Sequence, residues 1–406
     1  MKNPARIRTG LVAALWMFMG THAISQGTLA PTNAPSESMK SLQEIWDRVD
    51  AQQDDPRTPI SSLPYTITES GSYYVTGNLS STTNGIVIEA SGVTVDLMGF
   101  SLTGDGSSGD YGISVDGSQD AVIENLVIKG GRISGFFDGL YCEYMNNSRI
   151  EQMVLSDNTD DGVTLYGRHG QCDGNTIADS TISGNGGAGV NLDGDSGQCN
   201  GNTITDCTIS ENGDHGVMLG GFHGQCNGNT ISDCAISGNG DKGVYLYGES
   251  GQCNGNTIAD CTISGNGDKG VYLDGRYGQC NGNTIADCAI SDNADYGVFL
   301  TGQSGQCDGN TIQENTISKN TTKGIRLYDT DGNRLEANNV WGTTGDGTTY
   351  GIQTRGTSNF ILKNTCVGNG TNYELDPDDT AGPIVSASGY LSATGDASHP
   401  WANFSR

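Results

Sequence analysis

The sequence predicts an all-β fold, a right-handed single-stranded parallel β-helix whose coils are about 27 residues long. Three observations predict it. The string Gly-Gln-Cys-Asp/Asn-Gly-Asn-Thr-Ile recurs with its cysteine at 172, 199, 226, 253, 280 and 307, a constant step of 27, and a fixed period of this size marks a stacked-repeat architecture. Each unit also holds three short β-like pieces. In 251–277 these are Asn-Thr-Ile, Cys-Thr-Ile-Ser and Gly-Val-Tyr-Leu, punctuated by Gly, Asn and Asp, the residues that turns select. Finally, the repeats carry no 3.6-residue apolar period, so helices are not expected there. Three brief strands and three turns per unit make one triangular coil, and successive coils pair in parallel about 4.8 Å apart.

Taken along the chain, residues 1–25 read as a signal peptide. Lys2, Arg6 and Arg8 precede the short apolar run 11–20, and Ala23 follows with Ser25 close by as cleavage sites. The run is too short to span a bilayer, which takes about 20 residues, so export without a membrane span is expected. Residues 26–57 form a polar linker with one short helical stretch, 38–46. The β-helix is expected over 58–375, regular from about 145 to 330, and an acidic, Gly/Ser-rich tail over 376–406.

Alternation assigns the faces of each coil. Val190, Val217, Val244, Val271 and Val298 form a core column, Leu192, Leu219, Leu246, Leu273 and Leu300 a second, and Ile177, Ile204, Ile231, Ile258 and Ile285 a third. Gly189, Gly216, Gly243, Gly270, Gly297 and Gly324 require either a positive-φ turn or close packing. The asparagine columns beginning at Asn175 and Asn185 are expected to pass hydrogen bonds from coil to coil, an architectural role.

Composition narrows the function. With 20 basic against 47 acidic residues and a net charge of −27, the surface repels nucleic acid and anionic lipid, which need basic patches. An extracellular, solvated protein fits, with room for divalent cations.

The repeat unit Gly-Asn-Thr-Ile-Ala-Asp-Cys-Thr-Ile-Ser-Gly-Asn-Gly-Asp-Lys-Gly-Val-Tyr-Leu resembles those of the NosD-like, right-handed β-helix group of exported bacterial proteins. The opening 39–50 and 57–79 and the closing His399-Pro400-Trp401-Ala402-Asn403-Phe404 resemble exported β-helix proteins as well. The resemblance implies the fold over nearly the whole mature chain. It implies little about activity, because the architecture hosts lyases, hydrolases, epimerases and adhesins alike.

Four sets of side chains are candidates for chemistry. Cys172, Cys199, Cys226, Cys253, Cys280 and Cys307 form one column, and Cys207, Cys234, Cys261 and Cys288 a second facing the core. In an oxidising compartment, disulfides between coils or between columns are expected, with buried free thiols as the alternative. The acidic column Asp206, Asp233, Asp260 and Asp287 either caps turns or offers hard oxygens to Ca²⁺. Tyr245, Tyr272 and Phe299 stack on successive coils, either bracing the strands or forming a platform for sugar rings. Asp160, Asp161, Arg168 and His169 are the only place where acidic, basic and imidazole groups converge in sequence, as an enzyme of this fold would need.

The repeats run uninterrupted where a catalytic face would break them. The expected function is therefore a non-catalytic exported protein that binds carbohydrate or is displayed at the cell envelope, in the periplasm, on the surface or in the medium. A polysaccharide lyase or hydrolase acting on an acidic polymer through Asp160, Asp161, Arg168 and His169 is one alternative. A structural spacer or adhesin with no small ligand is the other.

Overall fold

The computed structural model describes residues 41, 44, 55–343, 345, 349–386 and 395–406. The expected signal peptide, 1–25, and most of 26–57 lie outside the described residues. Within that segment, Ser41 and Glu44 exchange hydrogen bonds, each side chain accepting from the other's backbone N–H at 3.0 and 2.7 Å. This is the reciprocal cap of a helix start, and Glu44 is helical.

From Thr58 onward the chain is a right-handed parallel β-helix. One coil contributes three strands, for example Thr257–Ala259, Thr262–Ser264 and Val271–Asp274. The third strand of every coil joins a sheet of thirteen parallel strands. The other two join a larger sheet that folds around the corner between them. Pairing is in register by one repeat: Val244 sits beside Val271 and Val271 beside Val298, Ile258 beside Ile285. Strict register stacks like on like, so the Val, Leu and Ile columns become one continuous apolar core, fully shielded from solvent. No coil has a core of its own, and stability passes between neighbours.

Both asparagine columns are ladders. Asn229 Nδ2 donates to Asn256 Oδ1 and to the Cys199 carbonyl, while Asn229 Oδ1 accepts from the backbone of Asn202. Asn212 and Asn239 repeat the arrangement at the other corner. A third ladder, Asn315, Asn338, Asn364 and Asn403, takes over the slot of the second cysteine column in the C-terminal coils.

The glycine column resolves to close packing. A Cβ on Gly243 would fall 2.6 Å from the Gly270 carbonyl oxygen and 2.5 Å from a methyl of Ile263. The tail also departs from expectation. Thr380–Ala381, Ile384–Ser386 and Asn403–Ser405 are strands, and Phe404 pairs with Thr365 of the last coil. Asn403, buried, continues the third ladder, so the described tail residues, 376–386 and 395–406, add strands to the end of the solenoid. No described helix is long and apolar enough to cross a membrane.

Candidate functional site

The two sheets differ in what they show the solvent. The larger carries mostly Thr, Ser and Ala, repeated from coil to coil. The outer face of the thirteen-stranded sheet varies, and it carries most of the chemistry.

The aromatic column lies on that face. Tyr245 and Tyr272 stack with ring centroids 5.2 Å apart, and Tyr272 and Phe299 at 5.1 Å. Tyr245 and Tyr272 are only 9 and 8 % exposed. Lys242 and Lys269 cover them, 5.0 and 5.2 Å from the ring centroids. The lysines are held by Asp241, Asp268 and Asp295 in an alternating chain of charges. These rings spend their faces on each other and on lysine, so the column braces the sheet and leaves no open platform. His215 takes the lysine position one coil earlier, its Nδ1 3.2 Å from Asp214 and 3.5 Å from Asp241. Among the described residues this trio is the one group whose donor atoms lie close enough to share an ion. The column Asp206, Asp233, Asp260 and Asp287 is elsewhere. Each residue is exposed at a left-handed corner with φ near 55°, a conformation Asp tolerates. That is a turn role, and the one close-set group of candidate ligand atoms among the described residues lies elsewhere.

The cysteines are all buried and all free. Geometry explains the departure from disulfides. Side chains stacked in parallel register sit about 4.8 Å apart, whereas bridged Cβ atoms lie roughly 3.5–4.5 Å apart. The thiols serve as small polar core groups: Cys226 Sγ accepts from Asn229 Nδ2 at 3.3 Å and donates to the Leu192 carbonyl at 3.6 Å.

The structure divides the four residues proposed for catalysis. Asp161 is buried on the sheet face and accepts from the Ala188 N–H, Asn191 Nδ2 and Thr164 Oγ1. Thr164 Oγ1 stands 3.1 Å from Asp161 and equally 3.1 Å from Asp138. Burial, and then the charge of Asp161, push Asp138 up to about 7. Burial raises Asp161 and Asp160 too, and pushes Asp193 up to about 6. Arg168 and His169 stand past the end of the strand Val163–Tyr166, exposed in the following turn. Asp138 escaped the sequence reading because it precedes Asp161 by 23 residues rather than 27. The signal was present in the matching Asp138-Gly139-Leu140 and Asp161-Gly162-Val163.

That turn opens onto a groove of about 700 Å³. It runs along one corner of the solenoid across several coils. Its floor is a ladder of glutamines, Gln171, Gln198, Gln225 and Gln252, joined by parallel bridges. Glycines flank them because the backbones touch: a Cβ on Gly224 would lie 1.8 Å from the Gly194 carbonyl oxygen. His169, Ser196 and His223 line the outer wall, with Gln119 and Val122 at the N-terminal end. Phe222, exposed, adjoins His223 at 4.1 Å between ring centroids. No carboxylate and no primary cation lines the groove.

The model of the family described as "Right handed beta helix region" matches residues 84–256, 173–340 and 250–375. The chain belongs to the right-handed β-helix family. No curated protein matches it in sequence. Among solved structures it is similar to the Azotobacter vinelandii mannuronan C-5 epimerase AlgE6 A-module, with TM-score 0.56 and 17 % identity over 77 % of this chain and 92 % of that one. It is also similar to the catalytic domain of a GH87 α-1,3-glucanase, with TM-score 0.57 and 12 % identity over 85 % of this chain and 66 % of that one. At these identities the likeness is one of fold.

Proposed function

We propose that this is an exported, non-catalytic β-helix protein that holds a neutral, linear polysaccharide along its corner groove, as a binding or display protein of the cell envelope. One observation carries the reading. In a chain with 47 acidic residues, this groove of about 700 Å³ is lined by amides, glycine backbone, serine and imidazole, and by no carboxylate. Glutamine amides both donate and accept, which suits sugar hydroxyls, while exposed rings at the rim offer faces to sugar C–H groups. Both relatives act on polysaccharides by their names, which supports the ligand class by analogy of fold alone. An anionic polymer would meet the acidic surface around the groove and be repelled.

A second reading has its own support. Asp138 and Asp161, bridged by Thr164, are a carboxyl pair with a raised proton affinity, the kind of group a lyase or hydrolase uses. Against it, Asp138 is only 4 % exposed, and Arg168 and His169 are not beside it.

A glycan array of the mature protein with and without Ca²⁺, followed by an absorbance assay for unsaturated uronates on each ligand, separates the readings. Binding of neutral glycans without turnover, independent of Ca²⁺, is expected. Turnover abolished by Asp161→Asn would establish the enzyme instead. Absence of any binding would leave a structural spacer.

A further inference from the structure

The second of the two turn residues ahead of each Gly-Gln-Cys does not repeat every coil; its type repeats every second coil. Successive pairs are Arg168-His169, Asp195-Ser196, Phe222-His223, Glu249-Ser250, Arg276-Tyr277 and Gln303-Ser304. A ring stands at the second position of every other coil, and a serine stands between. His169, His223 and Tyr277 are exposed, Tyr277 by 65 %, so the corner along which the groove runs is notched; His169 and His223 line the groove itself, and Tyr277 stands on the same corner beyond its last lining residue, Gln252. His169, Ser196 and His223 line the first notch together.

The fold does not demand this alternation. All six second-position residues adopt the same left-handed backbone, with φ between 51° and 61°. The backbone N–H groups of the first three donate in the same way to the next coil, whether ring or serine, His169 to Asp195, Ser196 to Phe222 and His223 to Glu249. Crowding is not the cause either, because Tyr245, Tyr272 and Phe299 stack on three consecutive coils. Nor is it a general two-coil pattern: the column two residues before the first turn residue reads Tyr166, Asp193, Gly220, Tyr247, Asp274, Thr301. What remains is a feature outside the protein with the same period.

Resting on the groove assignment above, we infer that the ligand is a β-1,4-linked neutral glycan of gluco or manno configuration, lying along the solenoid axis with one disaccharide per two coils. Two coils span about 9.6 Å. A β-1,4 chain extended as a two-fold ribbon turns each sugar over relative to the last, so the same ring face recurs at every second sugar. His169, His223 and Tyr277 each meet that recurring face. The glutamine ladder, present in every coil, meets the hydroxyls of every sugar. Ser196 and Ser250 give room to the sugars turned the other way.

Calorimetric titration of the intact protein with cello- and manno-oligosaccharides, from disaccharide to octasaccharide, tests this. Affinity is expected to rise in steps of two sugars. His223→Ser, which copies the turn of the neighbouring coils and so leaves the fold intact, is expected to weaken octasaccharide binding about three- to tenfold, while Thr262→Ala, exposed on the larger sheet away from the groove, leaves it unchanged. Even increments per sugar, or a loss from His223→Ser no greater than that from Thr262→Ala, would overturn the periodic match while leaving the groove reading intact. So would binding confined to neutral glycans of other linkage. Failure to bind any neutral glycan would overturn both.

Discussion

Asn229 donates its side-chain amide to Oδ1 of Asn256 in the next coil, at 3.1 Å, and the backbone N–H of Asn229 donates to the same oxygen at 2.8 Å. One buried carbonyl oxygen therefore satisfies two donors of the coil below, and the link is repeated through the column. Asn256→Ala would leave the Asn229 backbone N–H shielded from water without an acceptor, while Asn229 Nδ2 keeps the Cys199 carbonyl. A loss of about 1–3 kcal/mol in urea unfolding is expected, against less than about 0.5 kcal/mol for the exposed Thr262→Ala.

Gly243→Ala tests the packing role of the glycine column. The new Cβ would press on the Gly270 carbonyl and on Ile263, neither of which can swing away. A cost of about 1–3 kcal/mol is expected, read as a lower midpoint of thermal unfolding. An unchanged midpoint would mean that the coils are not in the tight register described.

The thiols give a direct count. All twelve cysteines are expected to be silent to a thiol reagent in the folded protein and to react once it is unfolded without reductant. Burial also raises the thiols of Cys199, Cys226 and Cys280 well above their ordinary range, which disfavours the reactive thiolate. Fewer than twelve reactive thiols after unfolding would reveal disulfides.

Asp138 makes stability depend on pH. Its folded pKa of about 7 lies above the ordinary 3.8, so between these values the folded chain holds a proton that the unfolded chain has released. Stability must then fall as pH rises through this window. Asp138→Asn removes the titration. In urea unfolding at pH 5 and pH 8, the variant is expected to gain on the wild type at the higher pH, by an amount on the order of a few kcal/mol. Parallel pH curves for the two proteins would contradict the placement of Asp138.

The sequence made the solenoid legible because strict register turns a 27-residue period directly into columns, and the Val, Leu, Ile and Asn columns needed no more than counting. What it hid falls into two kinds. The irregular coils broke the count, which is how Asp138 and the strand-forming tail were missed. Side-chain coverage was also invisible. Tyr245 and Tyr272 fall on an outward position, yet Lys242 and Lys269 fold over them, and that depends on the partner of each lysine one coil away. The groove was missed for a similar reason: Gln171, His169 and Ser196 read as turn residues, and only the stacking of those turns lines them up.

The most direct test of the corner groove as the binding site is hydrogen–deuterium exchange of the protein with and without a saturating neutral glycan. Protection is expected in the turns 168–171, 195–198, 222–225 and 249–252, with the sheet face around 138–166 unchanged. Protection centred on Asp138, Asp161 and Thr164 instead, with the turns unaffected, would contradict the account and place the ligand on the face of the thirteen-stranded sheet.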